Sequence, residues 1–376
     1  MRFTASSAEL LKALTTVGSV VPSKSTTPIY ECILFEREDD RLRLSATDKE
    51  VFVVQSIPVR FEQNGTSGTY RVAVPARRLV DTLRALPDLP VTVTADDEFN
   101  VTLKTDQGRY KMVGFDGADF QAIPELSEGQ TIETEGALMK RAIQKASFAV
   151  SKDALRPAMM GIYFQITSEE GRAVATDGHR LVRLGLTGLT SETPVSFIVP
   201  EKALGLVGKI AAEGPCRIQV SKGFADFSFG HSRVIALLIN ESYPNYEAVI
   251  PVENDRRLTA SRVAVLAAVK RVGLYTSSTT RQIRLALDAD RVEISAEDIE
   301  RASEAKETVL CDYTGEKMVI GFNADYLLEV LGNLDGEDVV MEFSSPNRAG
   351  VVTPGAQEDG EDLLMLIMPV MLNTYA

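Results

Sequence analysis

The sequence repeats itself three times at a spacing of roughly 125 residues, and that period limits what the chain can fold into. Phe3, Leu10, Leu14 and Val21 return 129 positions later as Ile132, Met139, Ile143 and Val150. The same shift carries Ala46-Thr47-Asp48 onto Ala175-Thr176-Asp177. A shift of 250 carries Ile33 and Phe35 onto Ile283 and Leu285, with Ser295-Ala296 standing before Asp298. The third opening helix aligns at 255, with Ala260-Ser261 for Ala5-Ser6 and Val272-Gly273 for Val17-Gly18. A period this long exceeds any solenoid unit and suits complete domains in tandem, expected at 1–127, 128–253 and 254–376.

Each repeat splits again into two halves that read as strand, helix, then several strands. Ser6-Ser7-Ala8-Glu9 is a capping-box pattern, and Leu10, Leu14, Val17 and Val21 follow at helical spacing until Gly18 and Pro22. Alternating stretches at 33–36, 41–45 and 51–59 then read as strands. The second half opens at Tyr70, places Pro75 at a helix start, and lines up Leu79, Leu83 and Leu86 before Pro87. Corresponding helices are expected near 137–150, 200–212, 261–273 and 323–334. The fold class is therefore α+β: three repeats, each with two helices packed on antiparallel sheets.

Charge is unevenly placed. The six expected helices carry a net +7, which leaves −20 on the rest of a chain totalling −13. Overall acidity argues against nucleic acid as a partner, but a basic stripe on repeat-related helices reverses that argument locally. Duplex DNA presents about one negative charge per 1.7 Å of axis, and a basic surface can hold it without reading bases.

Other function classes find little support. The longest apolar run, 363–372, is broken by Pro369 and too short to span a bilayer. Met1-Arg2-Phe3 leads directly into a polar helix start, so no signal peptide and no membrane association are expected. Cys32, Cys216 and Cys311 are isolated and odd in number, which fits buried thiols in a cytoplasmic protein and no disulfide framework. Asp177-Gly178-His179 offers a His beside a carboxylate, but the flanking alternation marks Asp177-Gly178 as a type I′ hairpin turn. The only other histidine is His231, and no phosphate-binding glycine loop or HExxH motif occurs. No metal and no cofactor are expected. The apolar end, Leu366 to Leu372, contains Met368 and Met371 around Pro369, and suits either a final strand or an adaptable peptide-binding surface.

Four segments together carry a family resemblance: Ala175-Thr176-Asp177-Gly178-His179-Arg180-Leu181; Tyr243-Pro244-Asn245-Tyr246 with Val249-Ile250-Pro251; Ile320-Gly321-Phe322-Asn323; and Met368-Pro369. In this order, on a threefold repeat, they resemble the β sliding clamps of bacterial DNA polymerase III over essentially the whole chain. The resemblance implies a head-to-tail homodimer of three-domain crescents that closes around duplex DNA and acts as a non-catalytic processivity factor. It implies, as partners, the polymerase III catalytic subunit, the clamp-loader complex, other polymerases and mismatch-repair proteins. These partners present short motifs of the Gln-x-x-Leu-Phe type.

By matching position, the resemblance places a partner groove at Met159, Thr176, Gly178, His179, Arg180, Leu181, Pro244, Ala248 and Val249. Asn347, Ala349, Leu366, Ile367, Met368, Pro369, Val370, Met371 and Leu372 complete it. Ala248 and Met371 stand where some members carry a basic residue, and Asn373-Thr374-Tyr375-Ala376 extends the end. The dimer contact falls on Leu274 and Tyr275 against Tyr110 and Met112. Lys24, Lys152 and Arg156 match loop positions that face DNA, and the helix faces add Lys12, Arg77, Arg78, Lys140, Arg141, Lys145, Lys202, Lys209, Arg262, Lys270 and Arg271. Two other readings stay open at this point: a diverged clamp acting as scaffold or inhibitor decoy, and a β-rich enzyme using Asp177 and His179.

Overall fold

The computed structural model describes residues 1–62, 71–126, 129–211 and 214–372. Expectations that fall on Tyr70, the 127/128 boundary, Ala212 and the last four residues lie outside that set. Six times over, a lead strand runs into a helix and then into a three-strand meander. The helices are α1 (Ser7–Val17), α2 (Ala76–Arg84), α3 (Gly136–Ala146), α4 (Glu201–Ile210), α5 (Arg262–Val272) and α6 (Ala324–Asn333). Among the described residues none is long and apolar enough to cross a membrane.

Local chemistry sets the helix starts. The Ser6 hydroxyl accepts from the Glu9 amide at 3.3 Å, and Ser261 does the same for Ala264 at 3.4 Å. Asn323 Oδ1 accepts from Asp325 and Tyr326. These bonds occupy donors that a helix N-terminus leaves free. Pro75 ends its strand and is the N-cap of α2, one residue earlier than expected. Leu10, Leu14 and Val17 are buried at i, i+4 and i+7, so α1 lays one face on sheet.

The halves of each repeat exchange their lead strands. In the first repeat Arg2–Ser6 pairs with Pro90–Ala95, whose own lead strand Arg71–Pro75 pairs back with Cys32–Glu38. Gln130–Glu135 pairs with Pro215–Ser221, and Arg256–Ser261 with Asp338–Phe343, in the matching register. Each half therefore completes the other's sheet, and neither half alone would bury its meander.

The chain divides into two compact units, residues 1–140 with 202–238, and residues 141–201 with 239–376. In the first, the outer strand Val51–Pro58 pairs with Ser232–Leu237, so strands of repeats one and two merge in a nine-stranded sheet. In the second, Arg180–Leu186 pairs with Glu361–Ile367 in the equivalent way, within a twelve-stranded sheet. Of the strands that close the six meanders, two leave one side without a neighbour among the described residues: Arg109–Val113 in the first unit, and the segment 303–310 of the strand Ser303–Thr314 in the second.

Candidate functional site: a turn, a terminal strap and a set of cationic helix faces

The repeated Thr-Asp pair is turn chemistry. Thr176 Oγ1 accepts from the Gly178 amide at 3.1 Å, and Asp177 Oδ1 accepts from the amides of His179 and Arg180 at 2.9 and 3.0 Å. Thr47 and Asp48 make the same bonds to Lys49, Glu50 and Val51. Such side-chain-to-backbone bonds close a turn. Gly178 has φ +90° and Lys49 φ +87°, and no second positive φ adjoins either. A type I′ turn needs two, so the expected type is corrected. Asp177 spends its carboxylate on backbone amides and on Arg180 at 3.3 Å. His179 is exposed and stacks on Tyr326 with centroids 5.4 Å apart. The acid–base pair of the enzyme reading is not assembled.

Arg180, in contrast, is enclosed. It is 9% exposed, pairs with Asp177 and Glu329, and lies over the Tyr326 and Phe148 rings at 4.8 and 5.3 Å. It joins the turn to α6 from a buried position, where His179 does so from the surface.

Beside the turn lies an apolar cluster of Val174, Leu181, Tyr246, Val351 and Leu366, with Tyr163 and Tyr243 packed against it. Tyr163 and Tyr243 stack at 4.7 Å. The Tyr246 hydroxyl donates to Gln165 at 3.0 Å. Burial pushes the Tyr243 phenol upward in pKa, so it stays protonated and a donor. Leu181 and Leu366 thus form a floor. Pro244, Ala248, Val249 and Met368 stand exposed around it.

The chain end forms a strap. After the strand 361–367, the Met368 amide donates to His179 O at 2.8 Å and the Val370 amide donates to Gly321 O at 2.9 Å. A Cβ on Gly321 would meet Leu372 at 2.7 Å, so glycine there lets the strap lie close. Met371 is 86% exposed on its outer side. Asn347, Val370, Met371 and Leu372 share a cleft of about 1050 Å³, while Met159, Thr176 and the 244–249 segment do not line it.

Several expected positions require correction. Ile367 is wholly buried because it alternates with Leu366 onto the opposite sheet face, whereas Ala349 is buried to much the same degree as Leu181, Leu366, Thr176 and Met159. The Met112 side chain is 4% exposed and belongs to its own sheet's core, so only the backbone of its edge strand is open to a second copy, whereas Leu274 and Tyr275 protrude, Leu274 at 77%. Three helix cations are engaged internally. Lys145 is buried and donates to Asn333 O at 2.5 Å and Asp335 at 2.8 Å. Arg141 pairs with Asp335 and, at 2.7 Å, Glu361. Arg262 donates to Gly336 O at 2.8 Å and to the Leu331 carbonyl of α6. The other expected cations are exposed, and of these Lys202, Arg156 and Arg271 pair with Asp48, Asp153 and Glu307. Lys12, Lys24, Arg77, Arg78, Lys140, Lys152, Lys209 and Lys270 make no ion pair among the described residues. Sequence reasoning missed Tyr326, Phe148 and Glu329, whose contact with the turn lies far away in the chain.

The DNA polymerase III beta subunit supplies matches along the chain: its N-terminal domain over residues 1–124, its central domain over 133–245 and its C-terminal domain over 247–370. The beta sliding clamp of Caulobacter vibrioides is 32% identical over 356 residues, covering 92% of this chain and 94% of its own. The chain belongs to the bacterial β sliding clamp family. The clamp of Pseudomonas putida is 29% identical over 99% of this chain and all of its own. A solved Pseudomonas aeruginosa clamp with ligand superimposes at TM-score 0.92, with 28% identity and coverage of 99% and 100%. The Bartonella birtlesii clamp, solved bound to griselimycin, gives 0.91 at 26% identity, with coverage of 99% and 100%. Sliding clamps are non-catalytic processivity factors of DNA replication, which excludes the enzyme reading of Asp177 and His179.

Proposed function

We propose that two copies of this chain close head to tail around duplex DNA and tether the replicative polymerase, the clamp loader and repair proteins in the cytoplasm. Domains at 1–127, 128–253 and 254–376 serve as the six modules of the ring. The observation that carries the proposal is that, of the six meander-closing strands, only Arg109–Val113 and the 303–310 segment lack a second neighbour among the described residues. Within the chain, the outer strand of one repeat's first half pairs with the outer strand of the next repeat's second half, aligning Ala236 with Val51 and Ile367 with Arg180. By their own hairpin registers, Met112 is equivalent to Ala236 and Ile367, and Ser303 to Val51 and Arg180. Continuing the series sets Met112 of one copy against Ser303 of a second. Lys111 then faces Glu304, and Tyr110 faces Ala305. A heterologous contact that repeats the internal joint closes a ring when the rotation allows. Exposed Leu274 and Tyr275 supply apolar surface for the same contact.

Enclosure changes what DNA affinity must do. Exposed cations without protein partners offer interchangeable phosphate contacts, which position a duplex without reading it. Retention then comes from topology. Partner motifs with Leu and Phe side chains suit the apolar floor of Leu181 and Leu366 with its exposed rim at Pro244, Val249 and Met368. The ligand-bound and griselimycin-bound relatives support a groove of this kind. Primer extension by the cognate polymerase tests the function: the protein should convert short products to long ones in a single binding event. Product lengths unchanged by its addition would refute it.

A further inference from the structure

We propose that the outer face of the third repeat's first sheet is a second binding surface, which takes a basic segment flanking the linear motif held in the groove. The surface belongs to strands Gln282–Asp288, Arg291–Asp298, Ser303–Thr314 and Met318–Asn323. Ile283, Leu285 and Leu287 alternate inward, so Gln282 and Arg284 point out, and the cleft of about 1050 Å³ lies over this outward face. Five carboxylates line it (Glu293, Glu297, Asp298, Glu300, Glu304) against two cations, Arg284 and Lys306.

Most of these charges are already answered. Lys306 pairs with Glu293 at 2.7 Å, and buried Asp298 accepts from the Arg301 amide. Glu304 faces Lys111 in the proposed ring. Glu297 and Glu300 are exposed and make no ion pair among the described residues, and neither does exposed Arg284, which leaves two carboxylates against one cation. Beside them Ile299 is 72% exposed, an apolar surface for the methylene stems of lysine or arginine.

Continuity with the groove selects the occupant. The opposite wall of the cleft is the strap itself, Val370, Met371 and Leu372, anchored by Val370 on Gly321. Arg284, in register with Gly321 on one side and Ser295 on the other, lies between the strap and these carboxylates, so a segment leaving the strap reaches Glu297 and Glu300 beyond it. Charge complementarity there favours Lys or Arg beyond the motif and disfavours Asp or Glu. The inference rests on the groove reading and adds a determinant of partner choice to it.

The test uses the full chain and three labelled peptides that share one Gln-x-x-Leu-Phe motif and differ only in flanks of lysine, serine or glutamate. Fluorescence anisotropy at low ionic strength should show the lysine flank binding about threefold tighter than serine, with glutamate weaker than both. The advantage should vanish in high salt and in the variant Glu297→Gln with Glu300→Gln, while the serine peptide binds that variant unchanged. Equal affinity for all three flanks, or an advantage that survives the double variant, overturns the surface and leaves the groove standing. Failure of every peptide to bind refutes the groove and this proposal with it.

Discussion

Substitution of Asp335 separates a structural lock from a DNA contact. Lys145 and Arg141 lie on α3, where charge segregation alone assigns them to phosphate. Instead, Asp335 holds both. Lys145 Nζ sits 2.8 Å from Oδ1 with only 8% of its side chain exposed, and Arg141 pairs with Oδ2. Asp335→Asn removes the charge that compensates a buried ammonium and leaves Lys145 with the Asn333 carbonyl. Breaking a fully buried pair from one side costs about 3–5 kcal/mol, whereas an exposed pair is worth at most about 1. The carboxylate of Asp335 is 34% exposed, so an intermediate loss of about 2 kcal/mol is expected. Lys145→Met deletes the buried charge, keeps the volume, and leaves Asp335 paired with Arg141; it should change stability by less than about 1 kcal/mol. Urea unfolding of the full chain measures both variants. A DNA-retention assay supplies the contrast: Lys145→Met should behave as wild type, and Lys140→Met should weaken retention in a salt-dependent way. Equal destabilisation by both Asp335→Asn and Lys145→Met, or loss of DNA retention in Lys145→Met, would refute the reasoning.

The same cluster predicts a pH window. Burial alone would raise the Asp335 pKa, but Arg141 and Lys145 outweigh it and hold the carboxyl below its ordinary range. A depressed acid stabilises fully above its unfolded pKa, about 4, and loses that contribution as pH falls through the folded value, so Asp335→Asn should narrow its gap to wild type in acid unfolding below about pH 4. Leu274→Ala with Tyr275→Ser should yield monomers in sedimentation, since burying Leu274 contributes about 1.5–3 kcal/mol per contact; an intact dimer would remove these residues from the interface. Gly321→Val should push the strap off its strand, leaving the circular-dichroism spectrum unchanged but weakening motif-peptide binding at least severalfold; undiminished affinity would show that the strap is not part of the groove. Burial raises the Cys32 and Cys216 thiols to about 12 and Cys311 to about 11. All three should resist iodoacetamide at pH 8 until the protein is unfolded, as read by intact mass.

Much of this architecture is local and therefore legible in the chain. The Ser6 and Ser261 caps, the inward stripes of α1 and α5, and the repeated Thr-Asp turns all depend on residues within a few positions of one another. The lead-strand exchange is not legible. Phe3 pairs with Val93 and Ile132 with Ile218, and a period-two strand carries no address for a partner some ninety residues away. Distance in sequence also hid the fate of the α3 cations, because Asp335 and Glu361 stand 190 residues and more beyond them. At the chain end, the composition of 366–372 suited either a final strand or an adaptable surface, and the inward turn of Ile367 depended on strand phase. The His179–Tyr326 stack and the enclosure of Arg180 needed the third repeat folded against the turn.

Encirclement makes one demand that no surface-binding protein meets. Loaded onto nicked circular plasmid, the dimer should elute with the DNA through moderate salt and should be lost promptly once a restriction enzyme linearises the circle. Equal retention on circular and linear DNA, or equal loss from both, would contradict a ring built by continuing the chain's own repeat-to-repeat strand pairing.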